Sequence, residues 1–240
     1  MDPRDSLVVK LDVPSRDDAL RLLDRMGDGV SWVKVGLELF SAEGPVALKD
    51  LKARGYRVFF DAKYHDIPTT VKRALVAIGD IGVDLVNVHA LGGAEMVEAA
   101  AGALRGSPTR LLAVTILTSH DDTSLDSIGV GGGTTAAALR LASLAHRAGA
   151  DGVVAAGDEI RAIRDAEGDD FLILVPGVRG KGEASQDQKR TVTVDEALMR
   201  GATHVVLGRT LFRAQDLSAR FAELAAEAAA GLGMRTSQVG

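Results

Sequence analysis

Short runs of β-branched and other apolar residues alternate along the chain with longer segments whose apolar positions recur at helical spacing. The runs are SLVVKLD (6–12), WVKVG (32–36), RVFFDAK (57–63), DLVNVHA (84–90), LLAVTIL (111–117), DGVVA (151–155), FLILVPG (171–177) and THVVLG (203–208). They are bounded by Gly or Asp and too short for helices, so each predicts a strand. Between them lie SRDDALRLLDRMG, GPVALKDLKARG, IPTTVKRALVAIGDIG, GAEMVEAAAGAL, TTAAALRLASLAHRAG, GDEIRAIRDAEG and VTVDEALMRG, and LSARFAELAAEAAAGL follows the last strand. A strand followed by an amphipathic helix is a parallel βα unit. Eight such units in 240 residues predict a single (β/α)8 TIM barrel. An open, doubly wound sheet is the alternative, since the pattern does not show closure.

No Pro/Ser-rich linker or shift of composition divides the chain, so residues 1–240 read as one barrel domain, with 232–240 expected to fray as a tail. Two long connections, 118–134 and 178–190, break the regular spacing. Loops of that length in a compact barrel are usually functional or mobile. The first ends in GGGTT (131–135), which lacks the spacing and lysine of a phosphate loop. It reads as a flexible connection, with Thr134 or Thr135 as the N-cap of the next helix.

Composition narrows the function classes. Hydrophobic residues make up 46% of the chain, enough for one sizeable core, and the net charge of −5 argues against non-specific nucleic-acid binding. An anionic ligand must therefore be held by local cations. There is no cysteine, which rules out disulfide and thiolate chemistry. No apolar stretch approaches the roughly 20 residues of a membrane helix, and the charged start MDPRDSLVVKLDVPSRDD is unlike a secretory signal. The expectation is a cytoplasmic protein with no membrane or nucleic-acid partner.

The polar residues then take on a pattern. In a barrel of this kind chemistry sits at the C-terminal ends of the strands. Strand one ends in Asp12, strand two carries Lys34, and strand three ends in Asp61-Ala62-Lys63. Strand four ends in His89, strand five runs into Thr118-Ser119, strand seven into Pro176-Gly177-Val178-Arg179, and strand eight into Gly208-Arg209. Strand alternation aims Asp61 and Lys63 the same way, with Ala62 outward. A buried ion network that only ties strands together is the bland reading. It is disfavoured because four or more charges are costly to desolvate, and apolar replacements are often as stable. Gly177, Arg179, Gly208 and Arg209 fall where barrels often hold a phosphate group. His89 reads first as a structural, hydrogen-bonded residue, and the direction of His65 is not fixed by alternation.

These motifs together resemble the orotidine 5′-phosphate decarboxylase family. The anchor is FDAKYHDIPTTV (60–71), similar to the family's Asp-x-Lys-x-x-Asp-Ile-Pro-x-Thr pattern. LD (11–12), VKVG (33–36), LTS (117–119), VPGVR (175–179), Gln188 and LGR (207–209) follow in family order. The resemblance implies decarboxylation of orotidine 5′-phosphate (OMP) to UMP and CO2, the last step of de novo pyrimidine synthesis, with no cofactor and no metal, in a homodimer. It implies that Lys63 protonates C6 of the pyrimidine, flanked by Asp61 and by Asp66 of a second subunit, with Lys34 completing the network. Asp12 and Lys34, with Thr69 and Thr70, are implied to hold the ribose, and Thr118 and Ser119 to meet the base. Gln188 would bridge base and phosphate, and Arg179, Gly208 and Arg209 would clamp the phosphate. The loop 178–190 resembles a lid over it.

The residues suit that chemistry independently. Loss of CO2 from a pyrimidine leaves an anion with little delocalisation, so fixed positive charge must stand at the carbon that becomes negative. Two rivals remain open on sequence. A Mg²⁺-dependent ketogulonate-phosphate decarboxylase or hexulose-phosphate synthase shares Asp-x-Lys-x-x-Asp, but there the motif typically runs into Ala-Gly, whereas Asp66 here precedes Ile67-Pro68-Thr69-Thr70. A non-catalytic phosphate-binding barrel would not need Lys63 between two carboxylates.

Overall fold

The computed structural model describes residues 2–180 and 192–239. Eight parallel strands, β1 (Leu7–Lys10), β2 (Trp32–Val35), β3 (Arg57–Tyr64), β4 (Leu85–His89), β5 (Arg110–Val114), β6 (Gly152–Val154), β7 (Leu172–Val175) and β8 (His204–Leu207), close into a barrel in sequence order. The predicted strands are all present, and closure, which their pattern left open, comes from β1 pairing with both β2 and β8.

Helices α1 (Arg16–Met26), α2 (Leu37–Glu43), α3 (Pro45–Ala53), α4 (Pro68–Ile81), α5 (Ala94–Ala103), α6 (Asp122–Ser127), α7 (Thr134–Arg147), α8 (Ile160–Glu167), α9 (Val194–Met199), α10 (Arg209–Phe212) and α11 (Leu217–Val239) surround it. Their amphipathic faces meet the outward strand residues, such as Val9, Val33, Phe60 and Val86, in one large buried layer. The inward residues form a second apolar layer, with Val8, Trp32, Phe59, Leu85, Leu112 and Val206 filling the barrel. Packed side chains thus close the barrel below, and the polar groups collect above them at the strand ends. No helix among the described residues is long and apolar enough to cross a membrane.

Two local features differ from expectation. The connection 118–134 contains α6, held by a reciprocal cap between Asp121 and Ser124. Neither Thr134 nor Thr135 caps α7: the cap position is Gly133, and Thr134 is the first helical residue. The Asp122 carboxylate reaches across from α6 to accept the Thr134 N–H at 2.8 Å, supplying from a distance what a local hydroxyl was expected to provide.

Strand β3 carries a second irregularity. Phe60 pairs with Val86 and Tyr64 with Val88, so three residues of β3, Asp61 to Lys63, face Asn87 alone. The strand bulges there. Lys63 has φ +52°, the only positive φ at a non-glycine position among the described residues.

Candidate active site

Three neighbouring strands build one row of alternating charge. Lys10 and Lys34 sit in register on β1 and β2. Lys10 Nζ stands 2.5 Å from Asp12 Oδ2, and Lys34 Nζ 3.1 Å from Asp12 Oδ1. Lys34 Nζ is also 3.1 Å from Asp61 Oδ2, and Lys63 Nζ lies 2.6 Å from Asp61 Oδ1. The order is therefore Lys10, Asp12, Lys34, Asp61, Lys63. Ala62 packs outward against the helix layer, as alternation requires.

Burial deepens toward the middle of the row: side-chain exposure is 39% for Lys10 but 7% for Lys34 and 13% for Asp61. Desolvation alone would push the Asp61 carboxyl up. The Lys34 and Lys63 ammoniums, with hydrogen bonds from Lys63 and Asn87, outweigh it and hold Asp61 below the usual carboxylate range. Asp12 is likewise held low, against burial, by Lys34 and Lys10. His89, at the end of β4, is shifted the other way for a base: burial and the neighbouring His65 and Lys63 charges favour its neutral form.

The backbone makes room for this packing. A methyl group on Gly36 would stand 2.7 Å from Lys34 Nζ and 2.9 Å from Asp12 Oδ1, so any larger residue would displace the row.

The row forms one wall of a cavity of about 300 Å³ at the C-terminal mouth of the barrel. Its floor is the inner apolar layer, including Phe59, Val114 and Leu174, and Thr118 lines its side. Beside the row, on the Lys10 side where β8 pairs with β1, Gly177, Arg179, Gly208 and Arg209 continue the wall. Arg179 is only 5% exposed, and its Nε and Nη2 are buried without a hydrogen-bond partner among the described residues. Buried guanidinium nitrogens in that condition call for an acceptor. The arrangement can hold a flat ring over an apolar floor, with an anionic group at one end and a reacting carbon beside an ammonium at the other.

Of the residues expected from sequence, Asp12, Lys34, Asp61, Lys63, Thr118, Arg179, Gly208 and Arg209 line this cavity. Ser119 is exposed and not among the lining residues. Asp66, Thr69 and Thr70 are also exposed and stand apart from the cavity of their own chain. Asp66 accepts the N–H of the adjacent Ile67 at 2.7 Å, and Ile67 itself is 64% exposed. Gln188 lies outside the described residues. Among those residues no group of three or more His, Asp or Glu side chains is arranged to hold a metal ion.

Sequence reasoning missed Lys10 and Asn87. Alternation could have found Lys10, two positions before Asp12 and so on the same face of β1. Asn87 could have been marked as a lone amide in an apolar run; it is fully buried, with Nδ2 2.8 Å from Asp61 Oδ1.

The chain is similar to known proteins over nearly all its length. Residues 5–224 match the model of the orotidine 5′-phosphate decarboxylase / HUMPS family. An orotidine 5′-phosphate decarboxylase of Alkalilimnicola ehrlichii is 47% identical over 226 residues, covering 93% of this chain and 96% of that protein. One from Nitrosococcus oceani is 43% identical over 212 residues, 88% of this chain and 91% of its own. The crystal structure of orotidine 5′-phosphate decarboxylase from Lactobacillus acidophilus superposes with a TM-score of 0.82 at 34% identity, covering 92% of this chain and 97% of that one. The chain belongs to the orotidine 5′-phosphate decarboxylase / HUMPS family.

Proposed function

We propose that Lys63 is the acid in the decarboxylation of OMP, the reaction that relatives covering most of this chain assign to it. The chain acts as a carboxy-lyase of UMP biosynthesis. The C6–carboxylate bond breaks and leaves its electron pair on C6. Lys63 stands beside that carbon, stabilises the growing negative charge, and then gives C6 its proton to yield UMP. Solvent restores the ammonium.

One observation carries this reading: Lys63 Nζ is fixed 2.6 Å from Asp61, at the end of a row that ties it through Lys34 to Asp12. An ammonium tethered in that way needs little reorganisation when charge develops on C6. Asp61 and Lys34 hold it, and Asp12 with Lys34 takes the ribose hydroxyls. Thr118 faces the base, and Ser119 is assigned to it on resemblance alone. The buried, unpartnered nitrogens of Arg179 support a phosphate at the β7–β8 end, with Arg209 and the Gly208 backbone completing the clamp. Gln188 is assigned to base and phosphate on resemblance alone.

The same reading makes the whole chain one barrel domain, working in the cytoplasm as a homodimer. Asp66, Thr69 and Thr70 sit on an exposed surface with Ile67, away from their own cavity. A second copy docked there would bring its Asp66 to Lys63 and its threonines to the ribose, in a two-fold arrangement.

No metal takes part in the proposed steps, because Asp12 and Asp61 are already occupied by ammoniums. Following the loss of OMP absorbance in EDTA tests this. Turnover should be unchanged by the chelator. Activity that EDTA removes and Mg²⁺ restores would instead favour the ketogulonate-phosphate type of chemistry.

A further inference from the structure

Lys63 occupies a left-handed backbone conformation that an L residue adopts only at a steric cost, and it does so inside a bulge of β3. Something must hold it there. Facing the bulge is Asn87 of β4, fully buried in a strand of otherwise apolar inward and outward residues up to His89. Its Oδ1 accepts the Lys63 N–H at 2.7 Å, and its Nδ2 donates to Asp61 Oδ1 at 2.8 Å. That same Asp61 oxygen takes the Lys63 ammonium at 2.6 Å. The amide thus closes a ring that starts at the Lys63 backbone and returns to the Lys63 side chain.

We propose that Asn87 is a positioning residue for decarboxylation: it locks the bulged backbone of Lys63 and the Asp61 carboxylate in one geometry, and so sets where the ammonium stands over the substrate. This rests on the assignment of Lys63 as the acid.

The chemistry of the position is restrictive. The Lys63 N–H has lost its ladder partner to the bulge, so it needs a side-chain acceptor or is buried unsatisfied. The ionised Asp61 can only accept, and the amide adds a neutral donor that, with the two ammoniums, fixes its orientation. A carboxamide offers both from one short side chain. An ionised Asp would supply the acceptor without the donor, and a Leu of similar volume supplies neither. The orientation of the amide follows from its partners, since a backbone N–H cannot face Nδ2.

Asn87→Leu and Asn87→Asp test the inference, with activity expressed per folded molecule from the amplitude of thermal unfolding. For Asn87→Leu, kcat should fall about 100-fold, the order expected when a reacting group is displaced by about 1 Å. Affinity for UMP should be unchanged, because the arginine end is untouched. Asn87→Asp adds a readout that a purely structural residue would not give. The titratable groups around that position are Asp61 and Lys63 of β3, Lys34 on the other Asp61 oxygen, and His89 on β4 itself with His65 beside it. Two adjacent carboxyls share a proton with a raised pKa. In that singly protonated state the new carboxyl donates to Asp61 and still accepts from Lys63 N–H. Its kcat should therefore recover as pH is lowered from about 8 toward about 5, a limb absent from the wild type.

Wild-type kcat per folded molecule in Asn87→Leu, or no acid-side recovery in Asn87→Asp, overturns the proposal. Should Asn87→Leu not fold, the near-isosteric Asn87→Asp carries the test alone. Failure of the underlying reading looks different: Lys63→Ala would then keep its turnover while Asn87→Leu still lost activity.

Discussion

At the β1–β3 end of the cavity every ammonium already has its carboxylate, within 2.5 to 3.1 Å. At the β7–β8 end Arg179 is as deeply buried, yet two of its nitrogens have no partner among the described residues. The first end is complete without a ligand, and its geometry is fixed before substrate arrives. The second lacks an acceptor, which the proposed phosphate would supply. That division suits a reaction whose difficulty lies in charge developing on carbon. On the proposed function, preorganised ions would do the chemistry, and binding energy from a remote phosphate would hold the reacting ring against them.

The largest effect that would break this division is at Lys63. Lys63→Ala removes the proton source and the charge beside C6, so kcat should fall by about four orders of magnitude or more in the OMP absorbance assay. A variant keeping a substantial fraction of wild-type kcat would take the chemistry away from the row.

At the other end, Arg209→Ala should lower kcat/KM for OMP by about 100-fold or more, as truncating one partner of a buried charge pair does. Orotidine, which lacks the phosphate, should be a poor substrate for the wild type and lose little further in the variant. Equal losses on both substrates would mean that Arg209 supports the fold and not the ligand.

A smaller, quantised effect tests the subunit assignment. Lys63→Ala and Asp66→Ala homodimers should each be nearly inactive. Refolded together, half the dimers should be hybrids, each carrying one doubly altered site and one site of wild-type composition. Activity should return to about a quarter of wild type. No recovery, with subunit exchange demonstrated, would assign Asp66 to its own chain's site.

The smallest expected effect is on stability against pH. Asp12 and Asp61 are held below their ordinary value of 3.8 in the folded chain. Their contribution is therefore whole above that pH and is lost as pH falls through the lower folded values. Urea midpoints measured below pH 3.8 should decline less steeply in Asp61→Asn than in the wild type.

The two ends also differ in how they could be read from sequence. The strands were legible because buried parallel strands give short apolar runs bounded by Gly or Asp, and eight of them close a barrel. Asp12, Lys34, Asp61 and Lys63 were legible because alternation and strand ends dictate where they point. The bulge at Asp61–Lys63 was not, since nothing local in FFDAKYHD distinguishes a bulged strand from a regular one. Asn87 has a role only through that bulge, which explains why it passed unnoticed. Helices α2, α6 and α10 are seven, six and four residues long, too short for a helical period to stand out. The capping of α7 by Asp122 comes from twelve residues away, beyond any local rule. Asp66, Thr69 and Thr70 lie past the end of β3, exposed and outside the cavity of their own chain, where alternation no longer dictates a direction.

The division between the two ends is tested most directly by titrating UMP into the Lys63→Ala and Arg209→Ala variants under identical conditions. UMP carries the phosphate but has no carboxylate left to lose. The account predicts that Lys63→Ala, inactive in turnover, binds UMP about as well as the wild type, whereas Arg209→Ala binds it about 100-fold more weakly. If instead Lys63→Ala lost UMP binding as severely as Arg209→Ala, chemistry and binding would not be separable along this cavity, and the account would be contradicted.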